Sequence, residues 1–326
     1  MSTVRPAQRG LLFLGCLLAF VRWEPAPYDL FLIIIFLLYA RGLTWKSYQL
    51  VFVVLLGPLL FTHVPALGAA LEVAPERTLY YSLVTLYLAL SSVFFMSLPE
   101  RSVPLLLLGY EVGALLSGLL GVLAFLRIPG LEDLLWGGSR AVAFFKDPNV
   151  FGAFLIPALF LALARLEQGR KFWILPALIL FLGVLVSLSR GAWANFAVAL
   201  LAWWLLRPRK RIWLPLVLLT LAGGVGISVV VMPDNPIVQR LGFMPYDKER
   251  FFTQMEALSL ALTQPLGYGP GLSEIHLSYA THNTYVRFLA EVGWLGLFFW
   301  LLILGTSLIW SLYQGLKQQS FRHEVY

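Results

Sequence analysis

The chain has 326 residues, of which 59% are hydrophobic, 15% aromatic and only 13% charged. Ordinary soluble domains carry about 25% charged residues, so this composition excludes a soluble globular protein. The 24 basic and 17 acidic residues give a net charge of +7. Because cytoplasmic loops of membrane proteins are enriched in Lys and Arg, this excess indicates a membrane protein and not a nucleic-acid-binding one. We expect a single integral membrane domain over residues 1–326.

Apolar segments long enough to be membrane spans follow one another along most of the chain, since a helix needs about 20 apolar residues to cross the hydrocarbon core. They lie at roughly 10–22, 28–40, 47–62, 78–98, 103–126, 148–165, 172–188, 191–206, 212–232 and 285–313. The predicted fold is an all-α polytopic membrane protein with about ten transmembrane helices.

The basic residues predict the orientation of these spans. With the N-terminus inside, the tract Arg165–Lys171 and the cluster Arg207–Arg211 both lie on the cytoplasmic side, as the positive-inside rule requires. Both chain ends are then cytoplasmic, and segment 233–283 becomes one large loop on the outer side of the membrane. Within that loop, residues 250–263 have apolar side chains at near-helical spacing, which predicts an amphipathic helix lying on the membrane.

Arg190 is the most unusual charge in the chain. It lies in the sequence SLSRGAW, between apolar runs at 172–186 and 192–206. A charge within a membrane-length apolar stretch is costly and is usually functional. The neighbouring Ser187, Ser189 and Gly191 are typical of a turn. We therefore expect two short spans that meet at a tight turn, with Arg190 at the outer face of the membrane.

The predicted outer face collects further cationic and imidazole side chains. They are Arg140, Lys146, Arg240, Lys248, Arg250, His276, His282 and Arg287. Arginine binds phosphate oxygens as a bidentate fork, and histidine can act as a general base near neutral pH. The collection suits a lipid diphosphate held at the membrane surface. The alternative is that most of these groups are solvated loop charges, with Arg287 anchored in the headgroups.

Metal and cofactor sites are not predicted. The sequence has no paired-histidine helix signature, and its single cysteine, Cys16, cannot form a cysteine cluster. The glycine-rich stretch Gly267–Gly271 lacks the Lys-Ser/Thr ending of a phosphate-binding loop. We expect chemistry without a metal or a cofactor.

Four short motifs occur in order in the C-terminal half. They are DPN at Asp147–Asn149, SLSRGA at Ser187–Ala192, the segment from Arg250 to the PLGYGPG sequence ending at Gly271, and HNTY…EVGWLG between His282 and Gly296. In this order they resemble the O-antigen ligase and polymerase superfamily of bacterial membrane glycosyltransferases. The resemblance covers about residues 145–302.

The resemblance implies a GT-C-like helical fold in the bacterial inner membrane, with the active site facing the periplasm. It also implies transfer of a glycan from undecaprenyl diphosphate to a hydroxyl group, without a metal or a nucleotide. By position in the motifs, Arg190 and Arg250 would bind the diphosphate, and His282 would accept the proton of the acceptor hydroxyl.

The same region supplies candidate substrate-binding residues. They are Asn149, Ser189, Tyr268, Asn283, Tyr285 and Arg287. Tyr268 and Tyr285 would flank the sugars, although aromatic residues at this depth are also typical of an interfacial belt.

Three activities remain open. We predict a polymerase of O-antigen or related polysaccharide repeat units, the broader group, which would be expected to work with a chain-length regulator protein. The alternative is an O-antigen ligase with lipid A–core as acceptor, which His282 in its motif favours. A lipid-linked sugar transporter is the third, although transporters are typically built from internal repeats, and none is apparent here.

Overall fold

The structure, a computed structural model, describes residues 6–39, 43, 45, 47–206, 245–277 and 281–324. The helices in these ranges are α1 Pro6–Leu17, α2 Pro27–Tyr39, α3 Ser47–Phe61, α4 Leu67–Val73, α5 Pro75–Met96, α6 Val103–Phe125, α7 Pro148–Glu167, α8 Ile174–Val186, α9 Arg190–Leu205, α10 Pro245–Thr263, α11 Ser273–His276 and α12 Thr284–Glu324. Short 3-10 turns cover Glu100–Ser102, Glu132–Leu134 and Lys171–Trp173. The predicted span at 212–232 and the start of the predicted loop, 233–244, lie outside the described residues.

Apolar helices make up a large part of the described chain. Four are long and apolar enough to cross a membrane: Pro75–Met96, Glu100–Phe125, Pro148–Glu167 and Thr284–Lys317. Shorter apolar helices cover Pro27–Tyr39, Gln49–Phe61 and Lys171–Val186. The protein is therefore a helical membrane protein, as predicted. The number of about ten spans stays a prediction, because several helices are shorter than the roughly 20 residues that cross the hydrocarbon core.

Two strands form a small hairpin after α6. β1 (Leu135–Trp136) pairs antiparallel with β2 (Arg140–Ala141). The turn between them contains Gly137 and Gly138, both with positive φ, a conformation that glycine adopts without steric cost. The hairpin places Arg140 shortly before α7.

The described residues form two compact units. The first comprises Met1–Gly42 with Pro99–Phe243, and the second comprises Leu43–Leu98 with Met244–Tyr326.

Helix α6 is the centre of the first unit and packs against α1, α7 and α8. Small residues allow its close approach to α1. A Cβ added at Gly109 or Gly113 would clash with the backbone of α1 at Leu12 and Cys16 respectively. Close backbone contact through small residues is how helices associate in a membrane, where apolar burial drives little.

A buried ion pair connects α6 to the end of α7. Glu111 is 5% exposed, and an oxygen of its carboxylate lies 2.6 Å from a guanidinium nitrogen of Arg165. The Arg165 guanidinium also lies 4.1 Å from the ring centre of Trp173. The Glu111 carboxylate is removed from water and depends on the partly exposed Arg165 for compensation.

The second unit is built from α3, α4, α5, α10, α11 and α12. Helix α10 covers the predicted amphipathic segment and begins five residues earlier than residue 250, at Pro245. It packs through Ala257 on Ala290 of α12. Helix α12 is interrupted at Gly293, whose φ of 68° and ψ of −166° are not helical.

Candidate active site

The predicted turn at Arg190 is present in the first unit. Helix α8 ends at Val186, and Arg190 is the first residue of α9. Between them, Leu188 has a φ of 48° although its side chain is 3% exposed. A left-handed conformation costs a non-glycine residue roughly 1–2 kcal/mol. Strain of this kind is often found at functional sites, so it marks the turn as a candidate site.

Serine side chains hold this turn together. Ser189 caps α9, since its hydroxyl oxygen accepts a hydrogen bond of 3.1 Å from the backbone N–H of Ala192. Ser187 donates its hydroxyl to the carbonyl of Val184 at 2.7 Å and accepts from the N–H of Ser189 at 3.3 Å. Both serines are buried. The predicted turn formers are therefore structural, and they fix where α9 begins.

Asn149 connects the first two motifs. Its side-chain oxygen accepts hydrogen bonds from the Ser189 hydroxyl at 2.8 Å and from the Arg140 guanidinium at 3.2 Å. Arg140 also donates to the carbonyl of Ser187 at 3.2 Å. Asn149 itself lies in the first turn of α7, where Asp147 is the N-cap and accepts from the Asn149 N–H at 2.6 Å.

Gly152 makes this arrangement possible. A Cβ added there would lie 2.6 Å from the Ser187 hydroxyl and 2.8 Å from the Cβ of Ala192. Only glycine therefore lets α7 approach the turn closely enough for Asn149 to reach Ser189.

The electrostatics of this turn favour an anion. The first turn of a helix carries partial positive charge from its unpaired N–H groups, so a cation there is unfavourable and an anion favourable. Arg190 nevertheless occupies the first position of α9, and Arg140 lies beside the same turn. Two arginines thus lie at or beside the start of α9, where anions are favoured, and this arrangement is suited to binding a phosphate.

Sequence reasoning placed Arg140 among the cations of the outer face but did not connect it with this turn. The Gly137-Gly138 pair in the preceding hairpin was the available signal, because consecutive glycines are typical of a tight turn. The contact with Asn149 could not be inferred from spacing.

The remaining predicted residues lie in the second unit. Arg250 is in the second turn of α10 and is half-buried. It shares a helix face with Ala257 and Ala261, which are 0% and 1% exposed, since these residues are spaced by seven and four positions. Arg250 therefore lies toward the packed side of α10.

His282 and its neighbours form the start of α12. His282 is exposed and has a φ of 45°, so this predicted catalytic residue has a left-handed backbone, as Leu188 near Arg190 does. Asn283 caps α12, because its side-chain oxygen accepts hydrogen bonds from the N–H groups of Tyr285 at 3.0 Å and Val286 at 3.4 Å. Tyr285 is 50% exposed. The capping turn thus fixes the backbone on which His282 is presented.

Arg287 is engaged by neighbouring groups. Its guanidinium donates to the carboxylate of Glu291 at 2.9 Å and lies 4.4 Å from the ring centre of Tyr81. The same carboxylate accepts a hydrogen bond of 2.6 Å from the Ser273 hydroxyl. Any substrate contact by Arg287 would add to these interactions or compete with them.

Arg77 contacts the same tyrosine ring as Arg287. It donates to the carbonyl of Gly271 at 2.6 Å, pairs with Glu274, and lies 5.3 Å from the ring centre of Tyr81. Arg77 and Tyr81 are four positions apart and so share one face of α5. That spacing was the only signal in the sequence.

Tyr268 lies in a loop that fits into the interruption of α12. Its N–H donates to the carbonyl of Ala290 and that of Gly269 donates to the carbonyl of Glu291, both at 2.9 Å. In return, the N–H of Trp294 donates to the carbonyl of Pro265 at 3.1 Å. The Tyr268 ring is 4.1 Å from the ring of His276. Backbone hydrogen bonds therefore connect the glycine-rich motif to α12.

A cavity of about 450 Å³ lies between α3, α5 and α12 of the second unit. Its polar lining includes His63, Tyr81, Arg287 and Glu291, and most of the rest is apolar. The ring nitrogen Nδ1 of His63 lies 3.0 Å from the carbonyl of Leu59, so Nδ1 carries the hydrogen. Burial lowers the pKa of His63 below its ordinary value, which favours the neutral imidazole.

The predicted site residues thus form two groups. Asn149 and Ser189 meet at the turn that precedes Arg190, in the first unit. The second unit contains Arg250, Tyr268, His282, Asn283, Tyr285 and Arg287. Among the described residues, no group of three His, Cys, Asp or Glu side chains could hold a metal ion.

Comparison with known proteins agrees with the motifs. A family model described as O-antigen ligase matches residues 175–301. No curated protein and no solved structure matches the chain. The matched segment contains Arg190, Arg250 and His282, together with the glycine-rich loop and the EVGWLG sequence. Over residues 175–301 the chain is therefore similar to the O-antigen ligase family, in agreement with the ordered motifs.

Proposed function

We propose that this protein is a membrane glycosyltransferase that moves a glycan from undecaprenyl diphosphate to a sugar hydroxyl. The observation that carries this proposal is the family match at 175–301, which contains Arg190, Arg250 and His282. The proposed site faces the periplasm in the bacterial inner membrane, with both chain ends in the cytoplasm. The substrates are then reached from the outer leaflet.

Arg190 and Arg250 would bind the diphosphate. As the glycosidic bond breaks, negative charge grows on the departing diphosphate oxygen, and a fixed guanidinium stabilises that charge more in the transition state than in the ground state. The position of Arg190 at the first turn of α9 supports this role, because the helix N-terminus adds to the positive potential.

His282 would act on the acceptor. The acceptor hydroxyl oxygen forms a bond to the anomeric carbon, while the bond from that carbon to the diphosphate oxygen breaks. The hydroxyl proton passes to the His282 imidazole, and undecaprenyl diphosphate leaves with the electron pair. One such displacement inverts the anomeric centre. Diphosphate is a good leaving group, so the proposal requires no metal. Asn149, Ser189, Tyr268, Asn283, Tyr285 and Arg287 would bind or position the two substrates.

We favour a polymerase, in which the acceptor is another lipid-linked repeat and a chain-length regulator sets the product size. The ligase is the second candidate, with lipid A–core as acceptor, and the description of the matching family as O-antigen ligase favours it.

Purified full-length protein supplied with synthetic undecaprenyl-diphosphate repeat units tests both candidates. Arg190→Ala is compared with wild type, and Arg170→Ala serves as a control, since Arg170 is an exposed residue between α7 and α8. A ladder of lengthening glycans that Arg190→Ala alone abolishes supports a polymerase. Product only after addition of lipid A–core supports the ligase. No transfer to either acceptor, or full activity of Arg190→Ala, contradicts the proposal.

A further inference from the structure

Helix α10 exposes a row of large apolar side chains. Met255 is 67% exposed, Leu258 39% and Leu262 71%. These three residues, which we call the apolar stripe, recur at intervals of three and four positions and so share one face of the helix.

The other faces of α10 are different. The buried residues Thr253, Ala257 and Ala261 form the face packed within the unit. The exposed polar residues Glu249 and Thr263 occupy a third arc, at whose edge Phe252 is also exposed. The packed arc of α10 contacts the protein and the polar arc contacts water. The exposed apolar arc is expected to contact another apolar surface.

The end of α10 that carries Leu262 lies beside a membrane span. The indole N–H of Trp294 donates to the carbonyl of Ala261 at 3.1 Å, so the end of α10 lies beside Trp294. Trp294 is 43% exposed, and Leu295 and Phe298 beyond it are 55% and 56% exposed. All three belong to the apolar helix Thr284–Lys317, whose exposed surface would face lipid. Tryptophan is typical of the membrane interface.

We propose that the apolar stripe is a lipid-contact surface and that α10 lies in the headgroup–acyl boundary of the bilayer. Met255, Leu258 and Leu262 reach the acyl chains, and the polar arc remains in water. The position of Trp294 beside the end of α10 is what selects lipid over a second copy of the protein.

This position has a consequence for Arg250. Because Arg250 shares the face of Ala257 and Ala261, it is directed away from the polar arc and is held at a height set by the lipid contact. That height is the level of lipid phosphates. This consequence rests on the proposed function, whereas the lipid contact itself does not.

Single cysteines with nitroxide labels test the lipid contact. The background is the full chain with Cys16→Ala, which removes the native thiol. Met255→Cys and Leu262→Cys report on the stripe, and Glu249→Cys and Thr263→Cys are matched controls on the same helix. All four positions are exposed, so the substitutions disturb little packing. The labelled proteins are placed in phosphatidylethanolamine–phosphatidylglycerol vesicles, and collision rates with oxygen and with a water-soluble nickel chelate are measured.

The stripe labels are expected to have an oxygen-to-nickel collision ratio several-fold above that of the controls. Equal ratios at all four positions would overturn the proposal. Spin–spin broadening at the stripe labels, lost on dilution with unlabelled protein, would overturn it in favour of contact between copies. Glycan transfer is not measured, so this result is independent of the proposed function.

Discussion

Ser189 donates a hydrogen bond to the side-chain oxygen of Asn149 at 2.8 Å, although 40 positions separate the two residues in the sequence. The bond joins the first turn of α7 to the residue that caps α9. Arg140 donates to the same oxygen at 3.2 Å. The start of α9, where Arg190 lies, is therefore held in place by a contact between two sequence motifs.

Replacing Asn149 with alanine removes the acceptor of both bonds. Each is worth about 0.5–1.5 kcal/mol. Since 1.36 kcal/mol corresponds to tenfold in rate, we expect glycan transfer to fall by about tenfold to a hundredfold. Steady-state kcat and KM for the lipid-linked donor measure the effect. Wild-type activity in Asn149→Ala would contradict a role for this oxygen.

Asn149→Asp separates positioning from electrostatics. The aspartate keeps the shape and the acceptor oxygen but adds a negative charge beside the turn. If the turn binds diphosphate, KM for the donor rises while kcat is largely kept. An unchanged KM would mean that the anion binds elsewhere.

Gly152 tests how tightly α7 must approach the turn. The methyl group of Gly152→Ala would meet the Ser187 hydroxyl at 2.6 Å. Overpacking of this kind typically costs about 1–3 kcal/mol, so we expect a lower midpoint of thermal unfolding in detergent and lower activity. Gly57→Ala in α3 is the control, because a Cβ there meets nothing within 4 Å. Equal midpoints for the two variants would show that the close approach is dispensable.

The turn at Arg190 could be predicted from sequence because its signals are local. Serine and glycine between two apolar runs indicate a turn, and serine is a preferred N-cap. The hydrogen bonds of Asn149 and Arg140 could not be predicted, since they join residues far apart in the chain. Sequence spacing limits which residues share a helix face, but it does not determine which helices meet.

The PLGYGPG loop shows a second limit of sequence reasoning. Glycine and proline are typical of a break in a helix, and α10 ends at Thr263, just before this loop. The loop's partner is the interruption of α12 at Gly293, where carbonyls of Ala290 and Glu291 accept hydrogen bonds from the loop. A single glycine in an apolar helix gives no sign of such an interruption, so Tyr268 was predicted to flank sugars and its backbone role was not foreseen.

Gly293→Ala tests whether the contact between this loop and α12 is needed for stability. Gly293 has a φ of 68°, and a Cβ there would clash with the carbonyl of Pro265 and lie 2.7 Å from the carbonyl carbon of Leu266. We expect a marked fall in the thermal midpoint. Gly305→Ala in the same helix has open space and should be neutral or stabilising. Tolerance of alanine at both positions would show that α12 can become continuous without loss.

The buried pair of Glu111 and Arg165 makes a prediction about stability alone. Glu111→Met leaves the Arg165 charge without its carboxylate, and breaking a buried pair in this way costs about 3–5 kcal/mol. Replacing both residues with methionine removes both charges, so the double variant should unfold at a higher temperature than Glu111→Met. A double variant less stable than the single one would mean that the arginine stem and its contact with Trp173 matter more than the charge.

The lowered pKa of His63 predicts that the stability of the second unit depends on pH. Burial lowers its pKa in the folded protein, and the nearby Glu291 opposes this shift only in part. In the unfolded chain the pKa is about 6.5. Above that value both states are neutral at His63 and pH has no effect through this group. As pH falls below about 6.5, the unfolded state binds a proton that the folded state resists, so the free energy of unfolding decreases.

His63→Asn retains a donor for the carbonyl of Leu59 but does not titrate. The thermal midpoint of the wild type should therefore fall more steeply than that of His63→Asn between about pH 7 and pH 5.5, the window just around the unfolded pKa. All other titrating groups are common to both proteins, so parallel curves would mean that His63 keeps an ordinary pKa in the folded state.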